Sequence, residues 1–196
     1  MDLWQRLEET TGFLDRQISD SPRVGVILGT GLGGLGEKIR APQGIPYEKI
    51  PHFPQSTVES HKGQLVFGNL GGKPVMVMEG RFHLYEGYAP AEVTYPVRVM
   101  QKLGVESLIL SNAAGGMNPS YIRGDLVAIT DHINLMGANP LAGPNDERLG
   151  LRFPDMSAPY DLGLVESAER IAHKAQIRLH RGVYAGVVGP NLETRA

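Results

Sequence analysis

Apolar positions along the chain fall into short blocks whose spacing alternates between helical and extended periods. Leu3, Trp4, Leu7, Leu14 and Ile18 recur at helical intervals, which predicts an amphipathic helix over residues 2–18. Val24–Leu28 is a continuous apolar run between Pro22 and Gly29 and reads as a buried strand. Residues 64–70 and 74–79 flank Gly71-Gly72-Lys73 and predict a hairpin. A helix opening at Pro90 would run through Val93, Val97 and Met100 to Gly104, with Pro96 lying awkwardly inside it. Val105–Leu110 and Leu126–Ile129 read as further strands. Residues 134–159, rich in Pro, Gly and Asn, read as one long loop, a kind of segment usually tied to function or to a partner. Leu162, Val165, Ala168, Ala172 and Ala175 mark another helix, and Val183–Val188 a last strand. Strands and helices mixed in this way indicate an α/β fold with a largely buried sheet.

Two polar stretches interrupt this pattern. The first follows the Val24–Leu28 strand, where Gly29-x-Gly31-x-x-Gly34 has the spacing of a dinucleotide-binding turn. A dinucleotide fold also needs a crossover helix of several turns and a second strand. Here only Leu35–Arg40 is available before Pro42 and Gly44, and the acidic residue about twenty positions on, Glu48, sits between prolines. Three readings stay open from the residues alone: a dinucleotide site, a tight turn only, or an anion held by backbone N–H groups and the Thr30 hydroxyl. The second stretch is Glu79–Gly87. If the strand from Pro74 continues, period two sends Arg81, His83 and Tyr85 to one face, with Phe82 and Leu84 on the other. A guanidinium, an imidazole and a phenol together suit an oxyanion bearing hydroxyls, while a wet edge strand would show the same alternation. His61 precedes the hairpin and is a candidate for the same face.

Composition narrows the field. A length of 196 residues suggests one domain, and 41% hydrophobic with 20% charged residues is ordinary globular material. The formal net charge of -2 and the lack of a basic run with aromatics give no reason to expect nucleic acid as a partner. No cysteine is present, so disulfides, thiolate metal sites and a cysteine nucleophile are excluded. No two of the six histidines have helical i, i+4 spacing, so no metal site is expected. Charged residues through positions 1–20 and strand-sized apolar runs leave no signal-peptide core or membrane span, which predicts a soluble, cytoplasmic protein.

Taken in order, ILGTGLGGL (27–35), FPQSTVESHKG (53–63), GRFHLYEGY (80–88), SNAAGGMNP (111–119), DHINLMGANPL (131–141), GPNDERLGLRFPDMS (143–157) and GPNLET (189–194) resemble the trimeric, low-molecular-mass purine nucleoside phosphorylases. The resemblance covers nearly the whole chain. It implies a single three-layer α/β domain over residues 1–196, with a central mixed sheet flanked by helices. The implied activity is phosphorolysis of purine ribonucleosides to free base and ribose 1-phosphate, with no cofactor and inorganic phosphate as a substrate. It implies a homotrimer whose partners are otherwise the purine nucleoside and phosphate.

In family terms Thr30, His61, Arg81, His83 and the Ala113 backbone resemble the phosphate pocket. Tyr85, Ala114, Gly115, Phe153, Leu192 and Glu193 resemble the nucleoside site, with His83 and Glu193 in the catalytic set and Phe153 reaching into a neighbouring subunit's site. Leu192 stands where many relatives carry phenylalanine, Thr30 where serine is common, and Ser60 and Lys62 flank His61 where smaller residues are usual. Family members continue past the GPNLET block, and that continuation supplies a serine for phosphate, a methionine and a histidine near the ribose, and an asparagine for the purine. The resemblance therefore implies that this chain carries the phosphate half of the site. Base preference stays open. A methylthioadenosine phosphorylase is the alternative within the fold, and an inactive phosphate-binding or assembly fragment or a dinucleotide-dependent oxidoreductase the alternatives outside it.

Overall fold

The computed structural model describes residues 1–29, 32–55 and 62–191 and divides the chain into two compact units, Met1–Ala113 and Ala114–Ala196. The first unit is built on a five-stranded mixed sheet in the order β2-β3-β4-β1-β5. Helix α1 (Leu3–Asp15) opens the chain, capped by the Asp2 carboxylate, which accepts the Gln5 N–H at 2.7 Å. It stops three residues short of the predicted end.

Strand β1 (Val24–Ile27) is the buried strand anticipated from its apolar run, parallel to β4 and β5 in the sheet, and only Val24 is not fully buried. A six-residue 3₁₀ segment, Gly33–Lys38, follows the glycine turn and leads directly into β2 (Arg40–Pro46), antiparallel to β3 (Gln64–Leu70). The crossover helix of a dinucleotide fold is therefore absent, and the glycine spacing does not belong to that motif. β2 is an edge strand that the sequence did not announce. Its irregular register between Arg40 and Gln43 brackets Pro42, which cannot donate to a ladder and is tolerated at such an edge.

The hairpin forms as predicted, with β3 paired to β4 (Lys73–Glu79). Gly71 and Gly72 both have positive φ, 59° and 81°, as a tight two-residue hairpin turn demands. β4 is central and buried along almost its whole length. Val75 and Val77 join Val26, Leu28, Ile39 and Val66 in one core, while Met76 and Met78 are buried on the opposite pleat.

The strand does not continue into residues 80–85 as the alternation suggested. It ends at Glu79, because Gly80 takes φ 115°, and the chain turns through a 3₁₀ segment at Leu84–Glu86. The single helix expected from Pro90 to Gly104 is two: α2 (Pro90–Val93) and α3 (Tyr95–Lys102). The break at Thr94 puts Pro96 in the first turn of α3, where its missing N–H has no intrahelical partner to lose. A buried polar contact ties the helices: Thr10 Oγ1 and the Tyr95 hydroxyl are 2.6 Å apart, and Thr10 also donates to the Pro51 carbonyl at 2.7 Å. β5 (Ser107–Leu110) completes the sheet, parallel to β1.

In the second unit, β6 (Leu126–Asn134) and β7 (Leu179–Gly186) pair in parallel, with α4 (Leu162–Lys174) between them in sequence, a βαβ unit. Both strands are displaced from their predicted limits. β6 runs five residues further, past an irregularity between Ile129 and Asp131, and β7 begins four residues earlier, at Leu179. The Asp161 carboxylate caps α4 by accepting the Leu164 N–H at 2.9 Å. Between β6 and α4 the chain is irregular except for a 3₁₀ turn at Glu147–Leu149, close to the long loop expected there. Among the described residues no helix is long and apolar enough to cross a membrane.

Candidate active site

Three parallel strands of the first unit end level with one another: Ile27 of β1 is in register with Met78 of β4 and with Leu110 of β5. The segments that leave these ends begin at Leu28, Gly80 and Ser111, so topology alone gathers Gly29, the polar Arg81–Tyr85 stretch and Ser111–Ala113. The crevice outside the carboxyl ends of parallel strands is where open α/β sheets bind ligands.

Gly29 lies against the start of the segment after β5. A Cβ there would meet the Ser111 carbonyl oxygen at 2.6 Å and the Asn112 Cα at 2.9 Å, so only glycine allows the two backbones this close. The Gly29 N–H donates to Ser111 Oγ at 3.0 Å.

The polar cluster expected here is present, although a turn rather than a strand assembles it. The Arg81 Nη1 donates to the Ser111 carbonyl at 2.7 Å, and its Nε donates to His83 Nε2 at 3.1 Å. The other imidazole nitrogen, Nδ1, lies 2.7 Å from Glu86 Oε1, which also accepts the His83 backbone N–H at 2.9 Å. A ring that accepts at Nε2 and meets a carboxylate at Nδ1 carries its proton on Nδ1, a tautomer assigned from its partners. The Glu86 side chain is 3% exposed and that of His83 19%, so the carboxylate lies beneath the imidazole. Tyr85 stacks on His83 with ring centroids 4.6 Å apart and planes 15° apart.

Phe82 points the other way and is buried beside Tyr47, at 5.2 Å between centroids, and Tyr88, at 5.8 Å. Tyr47 also packs on Phe53 and donates its hydroxyl to the Gly80 carbonyl at 2.7 Å, bracing the peptide just before Arg81. Burial, helped by the nearby Glu79 carboxylate, pushes the Tyr47 phenol far above its usual value and keeps it a protonated donor. Glu79, itself buried, accepts from Gln64 Nε2 at 2.6 Å and pairs with Lys62 Nζ at 3.4 Å, so β4 also anchors the residues that open β3.

Of the site residues expected from sequence, Arg81, His83, Tyr85 and Ala113 belong to this unit. Ala113 follows Asn112, whose amide donates to the Ala113 carbonyl at 3.1 Å. Ala114, Gly115 and Phe153 belong to the second unit. Phe153 is 86% exposed on the long loop. Next to it, Arg152 ties the middle of that loop together, donating to the Leu141 and Gly143 carbonyls at 3.0 and 2.6 Å. Thr30, His61, Leu192 and Glu193 lie outside the described residues. Sequence reading missed Glu86, Ser111 and Tyr47. Glu86 had a weak signal in its position three residues after His83; the other two had none. Among the described residues, no three His, Asp or Glu side chains converge as a metal site.

The sequence pattern of the phosphorylase superfamily matches residues 23–196. The chain is 54% identical over 191 residues to purine nucleoside phosphorylase 1 of Bacillus subtilis, an alignment covering 97% of this chain and 70% of that protein. With the purine nucleoside phosphorylase of Rattus norvegicus it shares 48% identity over 198 residues, covering 98% and 68%. Its fold superposes on isoform 2 of purine nucleoside phosphorylase from Schistosoma mansoni, solved in complex with cytosine and ribose-1-phosphate. The TM-score is 0.93 at 42% identity, over 97% of this chain and 69% of that one.

Proposed function

The chain belongs to the purine nucleoside phosphorylases of the phosphorylase superfamily, and on that premise we propose that the strand ends of its first unit hold the attacking phosphate. The reaction is phosphorolysis of purine nucleosides. A phosphate oxygen bonds to the anomeric carbon, the carbon–nitrogen bond to the purine breaks, and its electron pair leaves with the base, giving ribose 1-phosphate. Departure of the base makes the ribose electron-poor, and an anion held beneath the ring stabilises it electrostatically.

The observation that carries this reading is the Arg81–His83 contact, with both side chains tied from behind by Ser111 and Glu86. A guanidinium so held offers a fork to a tetrahedral anion without first losing rotamer freedom. His83, with its proton on Nδ1 toward Glu86, accepts the Arg81 Nε–H at Nε2 and so holds the guanidinium in the plane from which its remaining N–H groups meet the phosphate. The Thr30 hydroxyl, His61 and the Ala113 backbone complete the phosphate contacts in this reading. Tyr85 meets the ribose, Ala114, Gly115 and Leu192 line the nucleoside, and Glu193 bonds the purine edge, where hydrogen bonds to the leaving base supply the general-acid side of the reaction.

The reading includes a homotrimer in which Phe153 closes a neighbouring copy's site. A large aromatic side chain, 86% exposed and next to the Arg152 brace within the loop, supports that part. The test is phosphate-dependent release of hypoxanthine from inosine by the 196-residue chain, run with light scattering for oligomeric state. Phosphate binding without turnover would confine the chain to the binding half, and a monomer with full turnover would remove Phe153 from the site.

A further inference from the structure

Ser111 stands at the end of β5, where the three parallel strand ends meet, and bonds to the segments that leave the other two. Its N–H donates to the Ile27 carbonyl at 3.1 Å, continuing the β5–β1 ladder one step beyond the strands. Its hydroxyl accepts the Gly29 N–H at 3.0 Å and donates to the same Ile27 carbonyl at 3.3 Å. Its own carbonyl accepts from Arg81 Nη1 at 2.7 Å. One residue thus contacts the glycine turn through its side chain and the guanidinium through its backbone. The absent Cβ of Gly29 marks how tightly the two are drawn together.

Resting on the phosphate reading above, we propose that Ser111 is a positioning residue for phosphate, its hydroxyl setting the gap between the glycine turn and Arg81. The hydroxyl is needed because Gly29 is buried, and a buried N–H stripped of its acceptor must move to find another. Any such movement shifts the Gly29 backbone relative to a guanidinium still fixed on the Ser111 carbonyl. The effect belongs to phosphate alone, since none of these bonds involves the residues assigned to the ribose or the purine.

The test measures inorganic phosphate binding by calorimetry, and phosphate and nucleoside kinetics in parallel, for the unsubstituted chain, Ser111→Ala and Ser111→Thr. The Ala variant keeps the backbone carbonyl and loses only the hydroxyl. Loss of one or two hydrogen bonds of ordinary net worth should weaken phosphate binding about 10-fold. The phosphate KM should rise by the same factor, while the nucleoside KM stays within about 2-fold and Ser111→Thr restores phosphate affinity. Ser111→Cys, nearly isosteric and a weaker hydrogen-bonding group, gives the same reading should the Ala variant fail to fold. Unchanged phosphate affinity in Ser111→Ala overturns the proposal, as does a Thr variant no better than Ala. Failure of the unsubstituted chain to bind phosphate overturns the phosphate reading itself, and this inference with it.

Discussion

Glu86 Oε1 sits 2.7 Å from His83 Nδ1 and 2.9 Å from the His83 backbone nitrogen, so one buried carboxylate oxygen fixes both the ring and the peptide of its neighbour three residues back. This arrangement decides which imidazole nitrogen meets Arg81. Replacing Glu86 by Ala frees the ring to turn and removes the reason for a proton on Nδ1. Charge-assisted hydrogen bonds to such a group are worth about 1.5–3 kcal/mol, so kcat/KM for phosphate should fall roughly 10- to 100-fold. Steady-state kinetics with varied phosphate checks this, and an unchanged value would mean that His83 is oriented by something else.

Arg81→Ala should raise the phosphate KM by about 10- to 100-fold. Arg81→Lys should recover little of the loss. One ammonium cannot donate both to the Ser111 carbonyl and to His83 Nε2 from the positions the planar fork reaches at 2.7 and 3.1 Å. Full recovery by Lys would show that only the charge matters.

Tyr47→Phe removes a single hydroxyl and leaves the Gly80 carbonyl without that donor at 2.7 Å, while the ring keeps its place beside Phe53 and Phe82. An unpartnered buried carbonyl costs about 1–3 kcal/mol, which for a chain of this size lowers the Tm by several degrees. Thermal melting reads the stability and phosphate titration reads the displacement of Arg81. A loss of stability with no change in phosphate affinity would make this bond purely structural.

In the second unit, the Asp125 carboxyl is held below the ordinary aspartate range, chiefly by the Ile122 N–H it accepts, then against some opposing desolvation by His180 and Arg178. A carboxyl whose pKa is lower folded than unfolded stabilises the fold fully above its unfolded value. That contribution is lost as pH falls through the folded value. Asp125→Ala should therefore lower the Tm at pH 7, and the gap should close as the pH drops below about 4. A gap that persists unchanged to pH 2 would rule out the ionised carboxylate as its source.

The sequence by itself determined the elements whose cause is local. The buried β1 run, the Gly71-Gly72 hairpin, α4 and the long loop before it all rest on neighbouring residues. The motif blocks carried the family, because their order along the chain needs no contact to be read. The sequence also named Arg81, His83 and Tyr85 as a group, though on a strand periodicity that Gly80 interrupts. The glycine spacing at 29–34 invited a dinucleotide fold, and only the pairing of β2 against β3 ruled it out, since strand partners are a non-local choice. Ser111, Tyr47 and Glu79 were silent for the same reason. Their roles lie in bonds to residues 82, 33 and 15 positions away, which exist only once the sheet has brought those strand ends together.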